Sequence, residues 1–266
     1  MLGLDECGYG SCAGAVTVTG CIIDDKFKTA YRLRDSKLLS PNQITEAAKF
    51  AREKAYWFHL TEYDAVDIDL FGLGRCWDLA VLEILHRAPN LAHMPGGYCR
   101  VDRAIIDGSK LIRHPNWKVT AINQADSKFY AVQAAAVIGK ESRDRNMKTW
   151  ADKKYPQYGF RKHVGYGTAD HFKAVKLHGP CELHRFTYSC FKQFGGRRYQ
   201  MEASATLLRG WMKEVGMASQ KHPFLYSPTE LEHITDIGKK LEYHQPVSAH
   251  SVSYLKRLRD RIERFV

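Results

Sequence analysis

Asp5 and Glu6 stand side by side among glycines, Gly3, Gly8, Gly10 and Gly14, in the opening stretch M-L-G-L-D-E-C-G-Y-G-S-C-A-G. Two further acids, Asp107 and Asp126, sit beside the strand-like runs R-A-I-I-D (103–107) and W-K-V-T-A-I (117–122). A carboxylate taken out of water needs a partner, and glycine-rich backbone is entropically costly to order, so the combination marks a site rather than a piece of core. Hard divalent cations take oxygen ligands, and Mg²⁺ in particular is held by a few carboxylates together with phosphate oxygens of a substrate. Two such ions about 4 Å apart can activate a water and stabilise the departing oxygen of a phosphodiester. Neighbouring strand residues point to opposite faces, so Asp5 and Glu6 share a site only if the backbone bends, and the glycines are expected to supply that bend.

The charge pattern agrees with a phosphate-bearing partner. Of a net charge of +11, residues 139–199 carry fourteen Lys and Arg against five Asp and Glu, whereas residues 1–138 balance sixteen against sixteen. Lysines and arginines in one segment can hold a nucleic-acid backbone while acids in the other hold cations. Seven cysteines without a C-x-x-C pair argue against a disulfide framework and for reduced thiols. His178, Cys181, His184 and Cys190 come nearest to a zinc pattern, but their spacing favours packing and hydrogen bonding. No apolar run approaches the roughly 20 residues needed to span a bilayer, and no basic-then-apolar leader opens the chain, so a cytoplasmic protein without membrane association is expected.

The elements that must position the acids follow from periodicity. Strands are predicted near 2–5, over 15–23 and over 56–60, the three joined by short connections and therefore antiparallel. Ser40-Pro41-Asn42-Gln43 reads as a capping box opening a helix to about Lys54. Apolar residues at helical spacing predict one long helix from about Asp64 to Arg87, followed by a loop around Pro89, Pro95 and Gly96-Gly97. Residues 129–147 read as an alanine-rich helix that turns from apolar to charged as it leaves the core, and 168–178 as another. F-G-G-R-R (194–198) reads as a linker. Beyond it three helices are expected, at about 201–215, 228–241 and 249–264, the second capped by Ser227-Pro228-Thr229-Glu230. The last puts Leu255, Leu258, Ile262 and Phe265 on one stripe with Lys256, Arg257, Arg259, Arg261 and Arg264 around it, a helix expected to dock by its apolar face or to touch phosphates.

From about residue 2 to 191 the chain resembles the ribonuclease HII family. The likeness is carried by G-L-D-E-C-G-Y-G, D-S-K-L-L-S (35–40), I-I-D-G (105–108), A-D-S-K (125–128) with A-A-A-V-I-G-K-E-S-R-D-R, Y-G-F-R-K-H-V-G-Y-G-T (158–168) and G-P-C-E-L-H-R (179–185), in the family's order. The resemblance implies an α/β, ribonuclease H-like fold, a mixed central sheet flanked by helices, over residues 1–193, with a helical C-terminal extension over 200–266. It implies a monomer that cleaves the RNA strand of RNA/DNA hybrids and the 5′ side of ribonucleotides embedded in duplex DNA, with 3′-hydroxyl and 5′-phosphate products. The family's metal-binding acids fall on Asp5, Glu6, Asp107 and Asp126, to be served by two Mg²⁺ or Mn²⁺ ions. Gly8, Tyr9 and Gly10 match the loop that reads a 2′-hydroxyl through main-chain atoms, and Tyr166 the tyrosine that packs on the sugar at the RNA-to-DNA junction. Lys37, Lys128 and Lys162, with Lys140 and Arg143, are the implied phosphate contacts. Two positions depart from the pattern: Tyr9 stands where arginine is usual and Ser11 where proline is common. The alternative is a hybrid-binding protein of weak catalysis on the same fold, and the four intact acids favour the enzyme.

Overall fold

Strand β1 (Leu2–Cys7) is the spine of a five-stranded mixed sheet. The computed structural model describes residues 1–30, 33, 39–94, 97–194, 196–221, 226, 228–242, 255 and 258–260. Lys37, Ser227, Lys256, Arg257, Arg261, Ile262, Arg264 and Phe265 lie outside the described residues. β1 pairs antiparallel with β2 (Val16–Ile22) across a short connection, and β2 pairs antiparallel with β3 (Trp57–Tyr63) across a longer, helical one. Between β2 and β3 lie α1 (Phe27–Ala30) and α2 (Pro41–Lys54). The capping box is formed at α2: the Gln43 N–H donates to Ser40 Oγ and the Ser40 N–H to Gln43 Oε1.

The expected long helix is two, α3 (Ala65–Phe71) and α4 (Leu73–Arg87), because Gly72 takes a left-handed φ of +79° between them. The expected loop that follows is a hairpin of β4 (Leu91–Met94) and β5 (Gly97–Arg100). β6 (Arg103–Asp107) then returns to the sheet parallel to β1, and β7 (Lys118–Ile122) pairs parallel to β6, giving the order β3-β2-β1-β6-β7.

The chain packs as two compact units, Met1–Val66 with Leu73–Arg185, and Asp67–Gly72 with Phe186–Val266. The change of unit therefore comes at Arg185/Phe186, ahead of the 193–200 division expected from F-G-G-R-R. In the first unit α4 covers one sheet face, packing Trp77, Val81, Ile84 and Leu85 on Leu2, Leu4, Val18 and Ile106. The other face is covered by α5 (Tyr130–Asn146) with α2, through Ala131, Ala134, Ala135 and Ile138. Small residues let α5 lie close: a Cβ at Gly3 would collide with the backbone of Ala131 and Val132. The charged end of α5 reaches the surface only at Arg145 and Asn146. Glu141 and Arg143 are buried, Glu141 paired with Arg52 at 2.6 Å and Arg145 at 3.1 Å. A wide turn, Met147–Ala151, leads to α6 (Asp152–Lys154), α7 (Phe160–His163) and α8 (Ala169–His178).

The second unit contains α9 (Gly196–Lys221), which begins within the expected linker, and α10 (Pro228–Glu242). Leu208, Val215, Ala218, Ile234 and Ile237 form a buried cluster with Tyr226, Leu255 and Leu258. Leu255 and Leu258, the described part of the last segment's apolar stripe, thus pack on their own unit. Of its basic residues Arg259 pairs with Glu214 at 3.1 Å. Among the described residues no helix is long and apolar enough to cross a membrane.

Candidate active site

Pairing of β1 with β6 ends at Leu4–Ile106, while pairing of β1 with β2 continues to Cys7. The two strands therefore separate beyond Leu4, and Asp5 and Glu6 lie past the split on one side with Asp107 on the other. Both neighbours are regular strand residues, opposite Thr19 and Val18. The expected glycine bend is not what brings them together; the divergence of β1 from β6 is. The resulting cavity, about 200 Å³, is lined by Asp5, Glu6, Cys7, Gly8, Tyr9, Gly10, Asp107, Asp126, Ala136, Lys140 and Tyr166.

Asp107 also helps place Asp126. Its Oδ1 accepts a 2.6 Å hydrogen bond from the Ala125 N–H, fixing the 3₁₀ turn Ala125–Ser127 that buries Asp126. Gln124, in the left-handed region at φ 57°, turns the chain into it. The electrostatics are those of a cluster short of positive charge. Burial, then repulsion from Glu6, Asp107 and Asp126, raises the Asp5 carboxyl well above the usual carboxylate range. Lys140 lines the same cavity; burial pulls its pKa down, but the ion pair with Asp144 at 3.2 Å and other neighbours leave it raised. Burial pushes the Cys7 thiol up to about 11, so it stays a neutral wall and not a nucleophile.

This donor set fits divalent cations. Among the described residues no three His, Cys, Asp or Glu side chains close a shell around one ion by themselves. Mg²⁺ does not ask for that, since it keeps waters and takes one or two carboxylates with substrate oxygens. Four carboxylates around one cavity, one of them driven toward protonation by burial and then by the others, are the arrangement that cations relieve.

Residues 2–193 match the sequence profile of the family described as Ribonuclease HII. The chain belongs to that family. It is similar to the ribonuclease HII of Clostridium tetani, 33% identical over 193 residues that make up 71% of this chain and 67% of that one. It is 31% identical over 191 residues to the ribonuclease HII of Natranaerobius thermophilus, covering 72% of this chain and 91% of the relative. The fold is shared with the ribonuclease H2 of Pyrococcus horikoshii, at a TM-score of 0.59 and 20% identity over 72% of this chain and 95% of that one. As a ribonuclease HII family member the chain is a ribonuclease H, an endonuclease and hydrolase of a metal-dependent family that acts on RNA/DNA hybrids.

Within this ribonuclease HII fold the cavity gathers the four acids, Gly8, Tyr9, Gly10, Lys140 and Tyr166, while Lys128 and Lys162 stand on the surface outside its lining. Arg143 is corrected. The residue is 1% exposed, and its guanidinium donates to Ser11 Oγ (2.7 Å), Val164 O (3.0 Å), Ala15 O (3.2 Å) and Ala13 O (3.3 Å), so it holds backbone and has no face for a phosphate. The departure at Ser11 thereby acquires a structural reason: its hydroxyl is a buried acceptor for Arg143. Sequence reasoning gave no role in the site to Arg185, His171 or His184. For His184 and Arg185 the signal lay in the motif G-P-C-E-L-H-R itself. Of the residues that come nearest to a zinc pattern, His184 is bonded to His171 and to the Cys181 backbone.

Proposed function

We propose that this ribonuclease HII family member cuts the RNA strand of RNA/DNA hybrids and the 5′ side of ribonucleotides embedded in duplex DNA, leaving 3′-hydroxyl and 5′-phosphate ends. The observation that carries the reading is one cavity bordered by four carboxylates and by the Gly8–Tyr9–Gly10 loop. Those product ends require water to attack phosphorus while the bond to O3′ breaks. Asp5, Glu6, Asp107 and Asp126 would hold two ions, Mg²⁺ or Mn²⁺, which when bound supply an activated water and neutralise the departing oxygen. The chain's own residues do the selecting. Main-chain atoms of Gly8 to Gly10 approach a 2′-hydroxyl, which a side chain at Gly10 would obstruct. Tyr166, 37% exposed beside the acids, offers a ring to the sugar at the junction. Lys128, Lys140, Lys162 and Lys37 bear on phosphates and set register rather than sequence. The protein acts as a monomer in the cytoplasm.

The test is incubation with Mg²⁺ or Mn²⁺ and three end-labelled substrates: a hybrid, a duplex with one ribonucleotide, and an all-DNA duplex. Cuts in the first two, on the 5′ side of the ribonucleotide in the second, are expected. Binding without cuts would favour the weakly catalytic hybrid binder, and cuts in all-DNA duplex would remove the 2′-hydroxyl from the reading.

A further inference from the structure

The segment Cys181–Arg185 touches both elements assigned to substrate reading. Arg185, fully buried, donates from Nη2 to Gly8 O (2.7 Å) and Gly14 O (3.0 Å), from Nη1 to Tyr9 O (3.0 Å) and from Nε to Gly14 O (3.1 Å). Its backbone N–H donates to Cys12 O, and the Gly14 N–H donates to Leu183 O. In a trans peptide the N–H points away from the C=O. Drawing the Gly8 and Tyr9 carbonyls onto Arg185 therefore turns the N–H groups of Tyr9 and Gly10 to the opposite side.

The preceding residue reaches Tyr166 through a chain of imidazoles whose tautomers are fixed by their partners. His184 Nδ1 has both the Cys181 N–H (2.9 Å) and the Cys181 carbonyl (3.1 Å) beside it, so the protons are placed from the other end: His171 must donate from Nδ1 to the Tyr166 carbonyl at 2.8 Å, which leaves its Nε2 to accept from His184 Nε2 at 3.0 Å. His163 runs parallel: Nε2–H donates to Tyr158 O at 2.9 Å and Nδ1 accepts from the Gly165 N–H at 3.3 Å. The chain of donors thus runs from His184 through His171 to the Tyr166 carbonyl.

We propose that Arg185 and His184 form one latch that positions both substrate-reading elements, Arg185 setting the peptide orientation of the glycine loop and His184, through His171, setting the height of Tyr166. This rests on the substrate reading above, and it makes Arg185, His184 and His171 positioning residues that do not touch substrate. Lysine at 185 offers one donor head in place of a fork spanning three carbonyls.

The experiment compares Arg185→Lys with His184→Leu and with the conservative His184→Gln, whose Nε2–H can still donate to His171. Hydrogen exchange without substrate reads the latch alone. Arg185→Lys is expected to speed exchange in residues 8–15, and His184→Leu in residues 163–168, with His184→Gln near wild type. On a singly ribonucleotide-containing duplex, kcat should fall about 10²-fold in Arg185→Lys with KM within about threefold, since misplacement of about 1 Å costs that much. Wild-type exchange in both segments, or an equal rise over all of residues 1–185, overturns the latch. If Arg185→Lys fails to fold, the His184→Leu and His184→Gln pair decides on segment 163–168 alone. A wild-type protein that makes no cut at the ribonucleotide removes the substrate reading, while the exchange pattern still decides the latch.

Discussion

Two buried polar clusters of the first unit share the loop from Gly8 to Gly14, and they are built on opposite principles. On the cavity side, burial and then the repulsion of Glu6, Asp107 and Asp126 lift the Asp5 carboxyl. On the inner side, Arg143, Arg185, His171 and His184 spend their donors on backbone carbonyls and on each other. Burying polar groups is tolerable when every hydrogen bond is made and costly when like charges meet. The second cluster is a scaffold because its donors meet acceptors, and the first is a site because like charges meet in it. The contrast also separates the substitutions that should remove chemistry from those that should loosen the frame.

The largest effect is expected where the acidic cluster is neutralised. Asp126→Asn and Asp107→Asn delete a charged oxygen ligand without changing shape, and in Asp107→Asn the amide oxygen can still accept from the Ala125 N–H. Loss of several kcal/mol of transition-state stabilisation corresponds to a fall of about 10³-fold or more in cleavage. Thermal melting should stay at wild type or rise, because like charges are relieved. Excess chelator should silence the wild type to the same extent. Single-turnover rates and melting curves measured together check this, and near-wild-type cleavage by either variant would sink the metal-carboxylate reading.

Next come the glycines, where the two clusters meet. A Cβ added at Gly10 would meet no heavy atom within 4 Å, so Gly10→Val should melt like wild type yet cut about 10²-fold more slowly by blocking backbone approach. Gly8 differs: at φ +80°, with an added Cβ falling on the Arg143 side chain and 2.7 Å from Ala15 O, Gly8→Ala should lose stability as well as activity. Full activity in Gly10→Val would misplace the 2′-hydroxyl sensor.

The acids, the strands and the capping box were legible because they depend on local pattern: period-two alternation, a cap with its Gln three residues on, carboxylates at strand ends. What the sequence hid was tertiary. The gap between β1 and β6 depends on where parallel pairing stops, which no local spacing encodes. Arg143 reads as a phosphate contact, yet Ala13, Ala15 and Val164, remote in sequence, bring carbonyls to it. The break at Gly72 and the hairpin after α4 were covered by a helical period and by prolines that suggested a loop.

A smaller effect, on stability, comes from the scaffold cluster. Burial holds His171 and His184 down to about 4, and the groups packed around them supply no anion: His163 stacks on His171 at 4.4 Å, while Tyr158 and the Cys181 thiol beside His184 are themselves pushed up to about 12 and about 11. Glu182, the nearby carboxylate in sequence, is paired with Lys154 at 2.6 Å, and Arg185 adds positive charge. The folded values lie below the unfolded value near 6.5, so unfolding takes up protons between the two. Stability from this source is complete above about pH 6.5 and declines as pH falls toward 4. Asp5 acts in the opposite sense, and comparison with His184→Gln cancels it. Denaturant titrations from pH 4.5 to 8 should show a slope smaller by up to one proton in His184→Gln; equal slopes would mean that His184 is not held neutral by the fold.

The smallest effect is expected at Tyr9, where the two clusters divide one residue between them. Its carbonyl is held from within by Arg185 at 3.0 Å, while its ring is 43% exposed beside the acids. Tyr9→Arg therefore changes what the loop shows to nucleic acid without changing how the loop is held, and melting should be unaltered. The guanidinium restores the charge usual in the family and can reach a phosphate, so cleavage at a single embedded ribonucleotide should improve by a few-fold, about 1 kcal/mol or less. A gain from charge carries its own signature. Each added phosphate contact steepens the dependence of log affinity on log salt by about 0.9 for duplex DNA, whereas a gain from stacking leaves that slope unchanged. Titrating a ribonucleotide-containing duplex without metal, at several salt concentrations, distinguishes them. A steeper slope with unchanged melting assigns the Tyr9 ring to the substrate side of the loop; a lowered melting temperature would show instead that the ring belongs to the scaffold.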